Sequence, residues 1–191
     1  MQSFSEYISF QNAIGNEIQS DLSLNHIIDS IWNLAKDSNS IVFTIGNGGS
    51  ASTAEHFSAD LGQMEKRAGH AIRSFCLNSQ IALSSAFAND YDYSSVIKRQ
   101  LSSFKNSNYI LVAFSASGSS RNILEAINFS LEIKKEVHCF IGFNGGEILK
   151  IKNTNVIYFP DTRKDYGIVE NLHLTASHYV VDRLVEKFKG I

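Results

Sequence analysis

The chain has 191 residues, of which 43% are hydrophobic and 19% are charged, and its formal net charge is −2. This length and apolar share suffice for one compact domain with a buried core. A slightly acidic chain gives no electrostatic reason to bind nucleic acid or an acidic membrane surface, so we expect neither as a partner. No apolar run reaches the length of a membrane span, and residues 1–21 lack the pattern of a signal peptide, so we expect a cytoplasmic protein.

The first predicted elements are helical. Apolar residues recur at three- and four-residue steps through residues 4–36, which predicts two helices with a break near Asp21 to Asn25. We expect residues 1–37 to pack as N-terminal helices on the domain or on a neighbouring subunit. The recurring positions are Ile8, Phe10, Ile14, Ile18, Leu22, Leu24, Ile27, Ile28, Ile31 and Leu34.

Strand and helix patterns alternate through the rest of the chain. Strands are predicted at 40–45, 71–77, 109–114, 137–143 and 156–159, and helices at 79–90, 120–133 and 165–187, with a further helix after residue 49. This alternation predicts an α/β protein, a single doubly wound domain (residues 1–191) whose five-stranded parallel sheet is flanked by helices. Cys76 and Cys139 fall in two of the strands, so we expect buried, reduced thiols.

Two loops that follow predicted strands have the composition of anion-binding loops. In the first, residues 46–50 (GNGGS), glycines let the backbone approach an anion at the start of a helix. In the second, residues 115–120 (SASGSS), four hydroxyl groups precede another helix. Either loop alone could be a turn whose serine, Ser50 or Ser120, only caps a helix. Two such loops at one edge of a parallel sheet favour a pocket for a small phosphorylated metabolite.

A possible metal or proton-transfer pair follows the first loop directly. His56 and Asp60 are four residues apart, so they share one face of the predicted helix. An imidazole and a carboxylate suit zinc or another divalent ion, whereas the alternative is a solvent-facing ion pair.

These motifs together resemble the SIS (sugar isomerase) domain family over nearly the whole chain. The resemblance rests on strand-GNGGS-helix, a helix end at residues 88–90 (AND), and strand-SxSGxS-helix. His56 and Asp60, with His178 in the last helix, make the chain similar to the phosphoheptose isomerases of that family. The resemblance implies an SIS fold and isomerisation of sedoheptulose 7-phosphate to a heptose 7-phosphate through a cis-enediol. It also implies zinc, a homotetramer with sites between subunits, and a product used for lipopolysaccharide, capsule or other surface glycans.

The same resemblance implies roles for individual residues. Asp60 is expected to act as the base and His178 as the acid, with Glu170 as the rival base. The implied metal ligands are His56, Asp60, Glu170 and His178. The implied substrate-binding residues are Asn47, Gly48, Gly49, Ser50, Asn89, Asp90, Ser115, Ala116, Ser117, Ser120 and Glu170.

The chain departs from the usual family pattern in residues 166–169, which lack the arginine commonly found there, in a shortened stretch between Asp60 and Gly69, and at three single positions. Asp60 stands where the family usually has glutamate, Glu170 where it has glutamine, and Ala116 where it has threonine. Glu170 and His178 also pose a geometric problem, because eight residues span ~12 Å of a regular helix. Either the helix begins after Glu170, or the two residues serve sites in different subunits. Glu170 and His173, three residues apart, form a rival pair on one helix face.

A second hypothesis is a non-catalytic SIS module that binds a sugar phosphate for a regulator or binds a replication initiator protein. Such a module needs the phosphate loops but not the four residues His56, Asp60, Glu170 and His178 together, so the sequence favours the enzyme. The remaining histidines lack such a context, and we expect structural or surface roles for His26, His70 and His138.

Overall fold

The structure is a computed structural model, and it describes residues 3–16 and 21–190. In chain order its helices and strands are α1 (Phe4–Asn16), α2 (Asp21–Leu34), β1 (Ile41–Ile45), α3 (Gly49–Gly62), α4 (Met64–Ala68), β2 (Ser74–Cys76), α5 (Ile81–Asp90), α6 (Val96–Ser102), β3 (Tyr109–Ser115), α7 (Arg121–Glu132), β4 (Glu136–Phe143), β5 (Asn155–Pro160) and α8 (Tyr166–Lys189).

The five strands form one parallel sheet in the order β2-β1-β3-β4-β5, which confirms the predicted fold class. Every residue of β1 and β3 is buried. Such continuous burial is expected for central parallel strands, because helices cover both faces of the sheet. The chain moves from β1 outward to β2 and then returns to the other side of β1 to form β3. The loops after β1 and β3 therefore diverge, and the crevice between them is a usual ligand site.

Two layers of helices bury the two faces of the sheet. One face packs against α2, α3 and α8, in a core that includes Ile31, Phe57 and Val180. The other face packs against α6 and α7, in a core that includes Leu101 and Ile127. The fold thereby brings α3, which follows the first loop, alongside α8, which closes the chain.

The predicted break between the N-terminal helices is wrong in position. Residues 21–25 belong to α2, so the helix is continuous through the segment where the break was predicted. The stripe formed by Leu24, Ile27 and Ile31 is buried as one continuous helix face, which explains why α2 extends back through this segment. Ile18 lies outside the described residues.

Two further differences come from short elements. The strand predicted at 71–77 is only three residues long, because β2 is an edge strand that pairs with β1 alone. The helices α4 and α6 were not predicted, since five and seven residues are too few for a clear helical period.

The last helix runs without a break from Tyr166 to Lys189. The possibility that it begins after Glu170 is therefore wrong.

The cysteine prediction is confirmed. Cys76 and Cys139 are both free and buried, and burial raises the pKa of the Cys139 thiol to about 12. Such a thiol is unreactive near neutral pH. In the part of the chain that the structure describes, no helix combines the length and apolar composition needed to cross a membrane.

Candidate functional site

The first loop turns sharply from β1 into α3, and glycine is required there. Gly48 has a φ of 53°, and a Cβ atom on Gly46 would overlap the backbone of Ser50. Since α3 begins at Gly49, Ser50 lies inside the helix, and Gly48 occupies the cap position. Ser120 does occupy the cap position of α7, but its side chain makes no capping hydrogen bond. The alternative that these two serines only cap helices is therefore wrong, and the hydroxyl of Ser120 is not used for capping.

An amide pair ties the first loop to the start of α7. Asn47 Nδ2 donates to Asn122 Oδ1 at 2.8 Å, and Asn122 Nδ2 donates to Asn47 Oδ1 at 2.9 Å. The Tyr93 hydroxyl also donates to Asn47 Oδ1, at 3.1 Å. Asn122 is only 3% exposed, so this link between the first loop and α7 is fixed by its surroundings. Asn122 and Tyr93 were not predicted as site residues, because neither belongs to a loop motif.

The turn after β4 packs against the second loop and holds it in place. The backbone amide of Ile148 donates to the Gly118 carbonyl at 2.9 Å. Gly118 has a φ of 62°, and a Cβ atom there would overlap the Gly145 carbonyl. A Cβ atom on Gly146 would overlap Ser119 Oγ. The serine loop is thus held by close backbone contacts that only glycine permits.

The two loops enclose a cavity of about 280 Å³ at the carboxyl edge of the sheet. It is lined by nine of the predicted substrate-binding residues, namely Asn47, Gly48, Gly49, Ser50, Ser115, Ala116, Ser117, Ser120 and Glu170, together with Phe114 and Tyr166. Tyr166 was not predicted as a site residue; it is the first residue of α8, and its ring packs edge-to-face on Phe143 with centroids 4.8 Å apart. The sequence feature that could have indicated Tyr166 is an aromatic residue at the first position of a helix at this edge of the sheet.

Glu170 brings a carboxylate to the start of α3. Its carboxyl group lies beside Gly49, where a Cβ atom would overlap it. Burial raises the pKa of Glu170, and a hydrogen bond from the Ser50 backbone amide opposes that rise. The side chain therefore occupies part of the helix N-terminus that the sequence predicted to receive an external anion.

His56, Asp60 and His178 come together further along the same two helices. His178 Nδ1 lies 3.2 Å from Asp60 Oδ2, and His56 Nε2 lies 3.7 Å from the same oxygen. One possible ligand atom from each residue lies within 4.8 Å of the other two. The imidazoles are about half exposed, whereas Asp60 is more enclosed. Two imidazoles and one carboxylate are a usual ligand set for catalytic zinc, so these residues fit a divalent metal ion.

Three predicted site residues are not brought to this triad, and two of them, Asn89 and Asp90, do not line the cavity either. Glu170 is not among the three clustered groups, and it precedes His178 by eight residues, or roughly 12 Å, on the continuous helix α8. Asn89 and Asp90 are exposed at the end of α5, where Asn89 Nδ2 donates to Asp90 Oδ1 at 3.1 Å. One chain therefore does not assemble the whole predicted site.

His173 is not the partner of Glu170 that one helix face suggested. Its side chain is fully buried and packs against the rings of Phe114, Phe140 and Phe159. Burial lowers the pKa of His173 to about 4, although a contact with the Ile141 backbone opposes this. The rival pair is wrong, because the helix turns His173 into the core while Glu170 lines the cavity.

A larger cavity, of about 560 Å³, lies at the amino ends of β3 and β4, and it is lined neither by the two loops nor by the His-Asp-His triad. Glu136 lines it, with Oε1 lying 3.2 Å from both His26 Nε2 and His138 Nε2 and accepting from Ser30 Oγ at 2.5 Å. These contacts, chiefly with His138, hold the pKa of Glu136 at about 2. They tie α2 to the start of β4, which is a structural role for His26 and His138.

Comparisons with known proteins identify relatives of this chain. A family model described as SIS domain matches residues 6–139. A phosphoheptose isomerase from Campylobacter jejuni is 31% identical over 147 residues, which cover 77% of each protein. One from Helicobacter pylori is 29% identical over 87% of this chain and 82% of its own length. Among solved structures, a phosphoheptose isomerase from Neisseria gonorrhoeae superposes with a TM-score of 0.83 at 22% identity, covering 94% of this chain and 95% of that one.

Proposed function

Since this chain belongs to the SIS domain family and shares its length and motifs with phosphoheptose isomerases, we propose that it isomerises sedoheptulose 7-phosphate to a heptose 7-phosphate. The observation that carries the proposal is that α3 and α8 together hold both a phosphate-sized cavity and a His-Asp-His triad. A module that only bound a sugar phosphate would have no use for the triad. The product would serve as a heptose precursor for lipopolysaccharide, capsule or other surface glycans.

The serine loop and the start of α7 hold the phosphate in this proposal. Ser117 and Ser120 line the cavity with hydroxyl groups, and the N-terminus of α7 presents unpaired backbone amides and the positive end of its dipole. Asn47, fixed by Asn122, and Ser50 face the same space from the first loop. Hydroxyls and amides suit a phosphate monoester and leave the carbon chain free to extend from the cavity.

Isomerisation requires a proton to leave C1 or C2 of the sugar and to return to the neighbouring carbon, with a cis-enediol between. Asp60 is the proposed base, and His178, 3.2 Å away, exchanges a proton with the sugar oxygens. An imidazole suits this second role because its ordinary pKa is near neutral. Asp60 has a shorter side chain than the usual glutamate, so the sugar must approach α3 more closely. Glu170 remains the rival base.

A divalent ion, zinc on the chemistry of its ligands, would be held by His56, Asp60 and His178. When bound there, it would supply positive charge beside the sugar oxygens as the enediolate forms. Glu170 would join this set only from another chain, given its distance along α8 from His178.

We also propose a homotetramer whose sites combine residues from different chains. None of the three triad residues lines the cavity of its own chain, and Asp60 follows Ser50 by ten residues, or ~15 Å, along α3. The helix α5 has no buried residue, and Ile81 and Leu83 on it are 78% and 42% exposed. An apolar helix face of this kind supports a contact with a second copy of the chain.

Proton exchange tests the reaction directly. Sedoheptulose 7-phosphate is incubated with the protein in D₂O, and NMR follows deuterium uptake at C1 and C2, with five- and six-carbon ketose phosphates in parallel. We expect exchange and aldose formation with the seven-carbon substrate. Binding of the ketose phosphates without exchange at either carbon would favour the non-catalytic module instead.

A further inference from the structure

The proposed phosphate cavity contains an unexpected charge. Among the eleven described residues that line it, Glu170 is the only Asp, Glu, His, Lys or Arg, and its ionised form is negative. Neither lysine nor arginine is among these lining residues. Arg121, in the first turn of the neighbouring helix α7, points away, with a side chain 83% exposed and paired to Glu125 at 3.7 Å. A phosphate group therefore enters a space that already holds a carboxylate.

The position of the carboxylate divides the cavity into two ends. The Glu170 carboxyl group lies against Gly49, so it occupies the N-terminus of α3. The other end, formed by Ser117, Ser120 and the start of α7, has no anion of its own among the described lining residues. The phosphate consequently belongs at the α7 end, and the carbon chain of the ligand faces the carboxylate.

We propose that Glu170 is a specificity-determining residue that restricts this cavity to sugar monophosphates whose carbon chain bears hydroxyl groups and no second anion. The inference rests on the proposed sugar-phosphate site and adds which charge on the ligand that site accepts. A carboxylate accepts hydrogen bonds from sugar hydroxyls but cannot donate, so a second phosphate or carboxylate on the ligand meets repulsion without a compensating bond. The family's usual glutamine lacks this charge and can also donate, so it would not impose the restriction.

The experiment compares two open-chain ligands that differ by one phosphate. Calorimetry measures the binding of D-glucitol 6-phosphate and D-glucitol 1,6-bisphosphate, which have no carbonyl group and so cannot react or cyclise. We expect the unmodified protein to bind the monophosphate at least ~10-fold more tightly than the bisphosphate, and Glu170→Gln to reduce that ratio to about 3-fold or less. The matched control is Glu147→Gln, because Glu147 pairs with Lys150 at 2.8 Å outside the cavity, and its removal should leave the ratio unchanged.

Each outcome decides the inference. An unchanged ratio in Glu170→Gln, or an equal change in Glu147→Gln, would overturn it. A loss of bound metal in Glu170→Gln as large as that in His178→Ala would overturn it as well, because Glu170 would then be a ligand. If the ratio changes as expected but no isomerisation is found, the charge selectivity stands and the proposed reaction fails. If neither hexitol binds the unmodified protein, the sugar-phosphate site and this inference fail together.

Discussion

His178 Nδ1 lies 3.2 Å from Asp60 Oδ2, although four strands separate α3 from α8 in the chain. The contact exists because both helices pack on the same face of the sheet, so that their polar edges meet beside the core. His56, one turn before Asp60, completes a cluster whose imidazoles are about half exposed. The cluster is therefore accessible to a metal ion and to a second chain.

Removing one triad imidazole should release the metal. We expect His178→Ala to lower the affinity for zinc at least ~10-fold, because only two of the three protein ligands would remain on the ion. Elemental analysis of protein prepared without a histidine tag measures the zinc content. His70→Ala is the control, since His70 stacks on Phe188 and lies outside the cluster. Full zinc content in His178→Ala would contradict the proposed ligand set.

The two candidate bases can be separated by neutral substitutions. We expect Asp60→Asn to reduce solvent-proton exchange by ~100-fold or more, as loss of a general base does, while Glu170→Gln retains turnover. NMR in D₂O measures exchange, and metal content is measured in both variants. The opposite pattern, with metal retained in each, would assign the base to Glu170.

The serine loop should control affinity for phosphorylated sugars. Ser117→Ala combined with Ser120→Ala should raise KM for the ketose phosphate by about 100-fold or more, because each of the two hydroxyl bonds to a charged group contributes roughly 1.5–3 kcal/mol. Steady-state kinetics measures the change, and unphosphorylated sugars should stay equally poor. Ser119→Ala serves as the control, since Ser119 does not line the cavity. If KM is the same in the double variant and in the control, the phosphate lies elsewhere.

A charge on α5 should disrupt the proposed assembly. Ile81 is 78% exposed, and Ile81→Glu would place a carboxylate in an apolar contact between copies. We expect a smaller particle by size-exclusion chromatography with light scattering, with activity falling in parallel. Gln63→Glu adds the same charge at an exposed position between α3 and α4, and it should change neither property. A fully active monomer of the unmodified chain would remove the need for shared sites.

His173 should make stability depend on pH. Its pKa of about 4 in the folded protein lies below the ordinary value of 6.5, so the unfolded chain takes up the proton first as the pH falls. The stability from the neutral ring is complete above about pH 6.5 and is lost as the pH falls towards 4, by on the order of 3 kcal/mol. His173→Leu should unfold at a similar urea concentration at pH 7 and lose less stability at pH 5.

Urea unfolding at both pH values provides the measurement, and His70→Leu is the control at a half-buried ring. Burial also lowers the pKa of His138, so part of the decline should persist in His173→Leu. An unchanged decline in His173→Leu would show that His173 does not titrate on unfolding.

Local sequence determined the strands, most helices and both loops. Alternating apolar strands, the glycines of GNGGS and the hydroxyls of SASGSS are contiguous features, and each follows from backbone sterics or burial within a few residues. Eight of the nine predicted substrate-binding residues that line the cavity, all except Glu170, do so for this reason, since the carboxyl ends of adjacent parallel strands must meet. The edge strand β2 and the short helices α4 and α6 were harder to predict, because few residues specify them.

Tertiary packing decided which distant side chains meet. The sequence placed Glu170, His173 and His178 on one helix, but only the contact of α8 with the sheet and with α3 turned His173 into the core and His178 towards Asp60. The same contact left Glu170 at the N-terminus of α3, apart from the triad. Helical spacing fixes the angle between side chains on one helix, whereas the rotation of that helix about its axis is set by the apolar surface it must bury.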